Sequence, residues 1–147
     1  MRRLTVLVLL AALLVSVASA HADARASLPG SWLRSEDMLA VRITGRHGER
    51  FAGSLPVAQP SAKLGCRYPR GFGLLSLRFR YVEREGSRVR VPRAYTGVLR
   101  DFPAGAPGCE TVDWRVTARI SPHLDALTVA QAGAPSGFVF HFVRRRA

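Results

Sequence analysis

From Leu28 onward, apolar and polar residues alternate with a period of two along most of the chain. Side chains with that period fall on opposite faces of a β-strand, and no long stretch with the helical period of about 3.6 residues competes with it. The alternation predicts eight short strands, near residues 31–34, 38–44, 50–57, 75–82, 89–99, 112–120, 127–129 and 138–142. The fifth of them contains Pro92, so we expect a bend or a bulge at that position.

The segments between the predicted strands fall into two lengths. Residues 45–48, 85–87 and 121–124 are tight and rich in turn-forming residues, whereas residues 58–71, 101–110 and 132–137 are longer and rich in Pro and Gly. If the strands run up and down, the tight turns meet at one end and the long loops at the other. Such a meander closes most readily into an all-β, eight-stranded antiparallel barrel, because closure removes exposed strand edges. A two-sheet β-sandwich is the alternative architecture.

The first 22 residues have the pattern of a cleaved signal peptide. A short basic start is followed by an apolar run over residues 4–17, and two small-x-small cleavage patterns end at Ala20 and Ala22. The run is shorter than the roughly 20 residues that a membrane-spanning helix needs. The sequence therefore predicts a signal peptide over residues 1–22, a barrel domain over residues 23–147, no membrane span, and a periplasmic or secreted protein.

Composition narrows the class of protein further. The 147 residues are 48% hydrophobic and 22% charged, which suits one globular domain and excludes a disordered chain. Lys plus Arg is 22 and Asp plus Glu is 10, which gives a net charge of +12. Such a surface adheres to anionic polymers at low salt. No basic helix or base-stacking motif is present, so we expect no nucleic-acid partner.

Part of this basic charge falls on predicted strands. Five arginines occupy positions opposite the apolar ones and are expected to point outward from a barrel: Arg42, Arg78, Arg80, Arg115 and Arg119. Two interpretations remain open. The arginines can form a solvated exterior that resists aggregation, or a belt that binds anionic envelope polymers or an acidic protein.

The chain has two cysteines, Cys66 and Cys109, which lie in the first and second long loops. The up-and-down topology places both loops at the same end. An even number of cysteines in an exported chain predicts a disulfide between them. Two free thiols or a metal-binding pair are the alternatives.

The start of the predicted barrel domain has a G-x-W motif at Gly30-Ser31-Trp32, followed by Gly45, Gly48 and the segment Phe51-Ala52-Gly53-Ser54. This spacing, over about 28 residues, resembles the calycin-type β-barrels, and the first three strands are similar to those of the avidin/streptavidin family. The resemblance implies a barrel with Trp32 packed at a closed floor and a ligand that enters at the opposite mouth.

The biotin contacts of that family are not matched. Arg34 and Met38 stand where the family has polar ligand contacts, and Leu55 stands where it has a tyrosine. Trp114 is the only tryptophan after Trp32, so the aromatic ligand wall of the family is also missing. We therefore do not expect biotin to be the ligand.

No motif for a nucleophile or a metal is present: G-x-S-x-G, C-x-x-C and H-E-x-x-H are all missing from the sequence. The four histidines are scattered. We expect a protein that is not an enzyme and that has no cofactor, metal or catalytic residue. An enzymatic alternative would need a titrating group inside the barrel, for which Glu83 and Asp125 are the candidates.

Long loops on a rigid scaffold commonly carry recognition. The mouth is expected to combine cations with aromatic rings, and its predicted ligand-binding residues are Arg67, Tyr68, Phe72, Arg100 and Phe102. Three further aromatic residues are expected to line the interior below the mouth: Tyr81, Tyr95 and Trp114. The predicted function is capture of a small amphipathic or anionic ligand. The alternative is a surface-acting binder or inhibitor of another secreted or envelope protein, or a binder of an anionic envelope polymer. The pattern sets no oligomeric state.

Overall fold

A computed structural model of the chain describes residues 28–46 and 49–146. The predicted signal peptide lies outside the described residues. The described part is all-β and contains ten strands: β1 (Gly30–Arg34), β2 (Leu39–Arg46), β3 (Arg50–Ser54), β4 (Gln59–Pro60), β5 (Arg67–Tyr68), β6 (Gly73–Arg84), β7 (Ser87–Asp101), β8 (Val112–Ile120), β9 (Ala126–Gln131) and β10 (Val139–Arg144). Among these residues no helix is long and apolar enough to cross a membrane.

Eight of the strands form a closed antiparallel barrel. Their order around it is β1, β10, β9, β8, β7, β6, β3, β2, so consecutive strands are neighbours throughout. Strands β4 and β5 form a separate two-stranded ribbon within the long connection between β3 and β6. The predicted up-and-down barrel is confirmed and the sandwich alternative is wrong, because β1 pairs with β10 and leaves the main sheet without an open edge.

The two ends of the barrel differ as the loop lengths predict. The short turns after β2, β6 and β8 lie at one end, which we call the floor. The connections over residues 55–72, 102–111 and 132–138 lie at the other end, which we call the mouth, together with the short turn over residues 35–38. Loops long enough to form a binding site are therefore all at the mouth.

The alternating apolar positions fill the barrel interior. Leu39, Val41 and Ile43 are each at most 2% exposed, as their period of two predicts. Three residues that the alternation groups with the apolar positions are exposed: Val57 lies beyond the end of β3, Val112 is the first residue of β8, and Val89 is the third residue of β7. The pattern fails at strand ends because a side chain there extends past the core that its strand covers.

Trp32 packs at the floor end of the interior and is fully buried. Its indole Nε1 donates a hydrogen bond to the Leu28 carbonyl oxygen at 3.0 Å. The Arg144 guanidinium carbon lies 4.3 Å from the centre of the Trp32 ring, and Arg144 Nη1 donates to the Pro29 carbonyl oxygen. The first and last strands are therefore held together where the barrel closes.

The β6–β7 hairpin is longer than its neighbours and forms an arm. β3 pairs with β6 only as far as Arg78, and β8 pairs with β7 only from Ala94 onward. Residues 81–90 consequently pair only with each other, and we call them the arm. At its root, residues 91–94 of β7 stand opposite Arg80 alone, and Arg93 has a φ of 54°. The bend predicted at Pro92 is confirmed as this bulge.

Candidate functional site

Two oppositely charged side chains are buried at the mouth. Arg34, the last residue of β1, is 2% exposed, and Asp101, the last residue of β7, is 6% exposed. Arg34 Nη1 donates to Asp101 Oδ2 at 2.6 Å. Arg34 Nε and Nη2 donate to the two carboxylate oxygens of Asp37 at 2.8 and 2.5 Å. One guanidinium group therefore bridges the carboxylates of two different segments.

Tyr68 of β5 closes this network. Its hydroxyl donates to Asp101 Oδ1 and accepts a hydrogen bond from Arg34 Nη2 at 3.3 Å. The backbone N–H of Phe102 donates to the same Asp101 oxygen at 2.7 Å. Throughout the described residues, every buried side-chain nitrogen or oxygen has a hydrogen-bond partner. The charges at the mouth are thus buried at low cost, because each is hydrogen-bonded to its opposite.

The strand period brings these groups together. Arg34 follows the inward-facing Trp32 by two residues, and Asp101 follows the inward-facing Leu99 by two, so both point into the barrel. Neither Arg34 nor Asp101 is among the predicted ligand-binding residues. The sequence does contain a signal for them. On two strands that end at the mouth, the series of inward-facing apolar residues is followed by a charged residue, which is a cation on β1 and an anion on β7.

Within this network, the pKa values of Arg34 and Tyr68 both lie above their ordinary values. Burial by itself lowers the pKa of Arg34, but the hydrogen bonds and charges of Asp37 and Asp101 outweigh it and raise this pKa above its ordinary value. Burial, followed by the hydrogen bond to Asp101, raises the pKa of Tyr68 to about 12. At neutral pH, Arg34 is therefore charged and Tyr68 is protonated.

A pocket of about 570 Å³ opens beside this network, and we call it the mouth pocket. It lies between the turn after β1, the loop over residues 61–64 and the segment that follows β7. Aromatic rings of Tyr68, Phe102 and Phe140 form part of its wall. The Arg34 guanidinium carbon stacks 4.5 Å from the centre of the Phe140 ring. The mouth pocket thus combines aromatic rings with the charged side chains of this network.

The charges that line the mouth pocket do not match the basic composition of the chain. Three carboxylates line it, those of Glu36, Asp37 and Asp101, against two cations, Arg34 and Lys63. With two cations and three carboxylates, the lining has a net charge of −1. Both cations are also engaged with protein groups, since Lys63 Nζ donates to the Pro103 carbonyl at 3.1 Å and to the Ala106 carbonyl.

The loops around the mouth pocket are fastened to one another. Cys66 and Cys109 form a disulfide with their Cα atoms 5.5 Å apart, which confirms the predicted pairing and joins the first long loop to the second. Lys63, the only lysine of the chain, joins the same two loops through its hydrogen bonds. The Gln59 side chain pairs with both backbone polar groups of Ala40, at 2.8 and 2.9 Å. The rim is therefore pre-organised.

The structure brings three of the predicted ligand-binding residues together. The rings of Tyr68, Phe72 and Phe102 are in mutual contact, with centroid distances of 4.9, 5.2 and 6.3 Å. Trp114 also lies toward the mouth, where it packs edge-on against Phe138 at 5.6 Å. Tyr68 and Phe102 line the mouth pocket itself.

The other predicted positions lie elsewhere. Arg67 is exposed on β5, and Arg100 forms an exposed ion pair with Asp113 at 2.7 Å. The hydrogen bond from Arg100 holds the pKa of Asp113 below its ordinary value. Tyr95 is buried among other core rings, and the Tyr81 side chain lies on the arm. Arg67 and Arg100 are thus near the mouth but outside the mouth pocket, whereas Tyr95 and Tyr81 lie at other heights along the barrel, because a period of two assigns a face but not a depth.

The two acidic residues proposed for an enzymatic alternative are not inside the barrel. Glu83 is exposed on the arm, and Asp125 is exposed in the turn before β9, where it accepts a hydrogen bond from the Ser121 hydroxyl. That prediction is wrong because Glu83 lies beyond the point where β6 has a barrel neighbour. The buried carboxylate at the mouth is Asp101 instead.

A comparison with models of protein families, with curated proteins and with solved structures finds no match to this chain. The eight-stranded antiparallel barrel itself is consistent with a calycin-like fold. The similarity of the first three strands to the avidin/streptavidin family stays a prediction.

Proposed function

We propose that the protein is a non-enzymatic binding module that captures a small amphipathic molecule in the mouth pocket. The observation that carries the proposal is one pocket of about 570 Å³ in which an aromatic wall meets a buried, hydrogen-bonded charge network. Ligand sites of roughly 300–1,000 Å³ with apolar walls and a few fixed polar groups are typical of small-molecule recognition.

The aromatic wall supports an apolar ligand body. Phe102 and Phe140 are partly buried, so each retains ring surface for a ligand to cover. Leu64 is 98% exposed on the adjoining loop and can extend the apolar contact. Covering apolar surface contributes roughly 25 cal/mol per Å² before the cost of association, which makes this wall the main source of affinity.

The charge balance favours a cationic or hydrogen-bond-donating head over an anionic one. Glu36 Oε1 accepts the backbone N–H of His141 and lies 2.8 Å from its Nδ1 atom. Glu36 is part of the pocket lining, and its other oxygen, Oε2, has no hydrogen bond within the described residues. An ammonium group can bind there. An anionic head would instead meet three carboxylates, with Arg34 already shared between two of them.

The ionisation states support binding over catalysis. Catalytic acids and bases work best with a pKa near the operating pH. In the Arg34–Asp101 network the pKa values lie far from neutral pH: Arg34 stays charged, and burial together with the hydrogen bond to Asp101 raises the pKa of Tyr68 to about 12. Groups locked in this way orient a ligand without exchanging protons with it.

The proposal places the protein in the periplasm or among secreted proteins. The Cys66–Cys109 disulfide supports this location, since disulfides persist in oxidising compartments. The predicted signal peptide over residues 1–22 agrees with it.

The test uses two fluorescent amphiphiles with one apolar body and either a primary ammonium or a sulfonate head. We expect the ammonium probe to bind about tenfold more tightly, through a charge-assisted hydrogen bond to Glu36. Glu36→Gln should remove this preference. Glu83→Gln, which makes the same charge change on the exposed arm, should leave it intact. Phe140→Ala should weaken both probes.

Native mass spectrometry of the exported protein provides an independent readout. A co-purifying small molecule that is lost in the Phe140→Ala variant would support the proposal and give its mass. Equal binding of both probes to the wild-type protein and to Phe140→Ala would contradict it, because the probes would then be bound outside the mouth pocket.

A further inference from the structure

A second groove, of about 530 Å³, lies on the outer wall of the barrel. The base of this groove is the outward face of β8 and β9, which carries Thr117, Arg119 and Thr128. Its side is formed by the β7 bulge with Arg93 and by Arg80 of β6. We call it the wall groove. None of its lining residues lines the mouth pocket, so the two sites are separate.

The wall groove has only positive charge. Arg80, Arg93 and Arg119 line it and no carboxylate does. None of the three forms an ion pair with any residue in the described part of the chain. Asp125 accepts the hydrogen bond of the Ser121 hydroxyl at the groove edge, but Asp125 itself is not on the groove lining. Three guanidinium groups without counter-charges form a site for anions.

The positive surface continues from the wall groove toward the arm. A smaller pocket of about 330 Å³ shares Arg80 and adds Arg78 and Arg88, against the single carboxylate of Glu83. The Arg88 guanidinium carbon is held 4.3 Å from the centre of the Tyr81 ring. Two adjoining pockets with one shared arginine suit an extended ligand that carries several charges better than a single small ion.

We propose that the wall groove and the adjoining pocket bind a linear acidic polysaccharide. Arginine forks bind carboxylate, sulfate and phosphate groups bidentately, which suits the repeated anions of such a chain. Thr117 and Thr128 supply hydroxyls that can donate to and accept from sugar hydroxyls. The rest of the lining is largely small, with Ala126 and Ala130 on β9, so a sugar ring can lie flat against the wall.

The groove chemistry favours a polysaccharide over a nucleic acid. Single-stranded nucleic acids are bound by stacking bases on aromatic side chains as well as by cations. No aromatic residue lines the wall groove within the described chain. Tyr81 on the arm already stacks with Arg88. The wall groove instead offers guanidinium and hydroxyl groups, which suit the anions and hydroxyls of an acidic polysaccharide.

The experiment measures binding of polygalacturonate to the full exported protein by calorimetry, at an ionic strength of about 0.15 M to screen unspecific attraction. The groove variant combines Arg93→Gln with Arg119→Gln. The matched control combines Arg42→Gln with Arg115→Gln, which removes the same charge from outward positions that line neither pocket. Uncharged dextran and a single-stranded oligonucleotide serve as further ligands.

We expect the groove variant to bind polygalacturonate at least about tenfold more weakly, and the control about twofold more weakly, because only the groove arginines contact the polymer directly. Arg80→Gln, which touches both pockets, should also weaken binding and provides a second variant if the first is unstable. An equal loss in groove variant and control would overturn the proposal. Tighter binding of the oligonucleotide than of polygalacturonate would overturn the choice of polysaccharide.

Discussion

The mouth pocket and the wall groove have similar volumes, about 570 and 530 Å³, but different charge compositions. In the mouth pocket, Arg34 lies between two carboxylates and Lys63 is bonded to loop carbonyls. In the wall groove, three arginines face solvent with no carboxylate on the lining. Among the described residues, the excess of basic side chains therefore lies on the exterior, and the pocket suited to a small molecule is not basic.

The difference has a physical cause. A charge inside the barrel is stable only when it is paired, because burial removes it from water. A charge on the outer wall stays hydrated and needs no partner. Arginines can therefore accumulate outside without cost, whereas each one inside requires an acidic residue from another strand.

Removing the buried cation Arg34 should strongly destabilise the protein. Arg34→Ala leaves the buried Asp101 and the partly buried Asp37 without a counter-charge, and we expect it to lower the free energy of unfolding by about 3–5 kcal/mol. Urea denaturation followed by tryptophan fluorescence measures the loss. A variant as stable as the wild-type protein would show that the network is not needed for the fold.

Removing the disulfide should separate the two sites functionally. Replacing Cys66 and Cys109 by serine frees the two rim loops, and we expect a loss of about 2–5 kcal/mol in stability. At a temperature where the variant is folded, binding of the ammonium probe at the mouth should weaken. Polygalacturonate binding at the wall groove should stay unchanged. A parallel loss of both would indicate that the sites are coupled.

High pH should destabilise the mouth through Tyr68. In the unfolded chain its pKa is near 10.0, and in the folded protein it is raised to about 12. Between these values the unfolded state binds fewer protons, so stability is complete below pH 10 and falls as the pH rises to 12. The contribution at stake is on the order of 2 kcal/mol. Unfolding measured across this range should be flatter for Tyr68→Phe, and an unchanged decline would contradict the assignment.

Removing the exposed ion pair between Arg100 and Asp113 should have the smallest effect on stability. Arg100 and Asp113 form an ion pair at 2.7 Å, but about half of each side chain is exposed. We expect Arg100→Gln to change stability by about 0–1 kcal/mol, and less in high salt. A loss as large as that of Arg34→Ala would remove the distinction between inside and outside on which the comparison rests.

Several features could be predicted because their signals are local. The strand faces follow from a period of two, the two kinds of end follow from loop lengths, and the bulge follows from Pro92. The disulfide follows from two cysteines in loops that an up-and-down chain brings to one end. Tyr68 and Phe102 were found at the mouth for the same reason, since each lies in or beside a long loop.

The barrel, its floor and mouth, and the disulfide between the rim loops could thus be predicted, because each depends on the order and polarity of neighbouring residues. The contact of Arg34 with Asp101, 67 residues away, and the shared groove of Arg93 and Arg119 emerge only in the folded barrel. Such meetings depend on strand register and on where each strand ends relative to its neighbours. A period of two specifies the face of a side chain but not its height along the barrel.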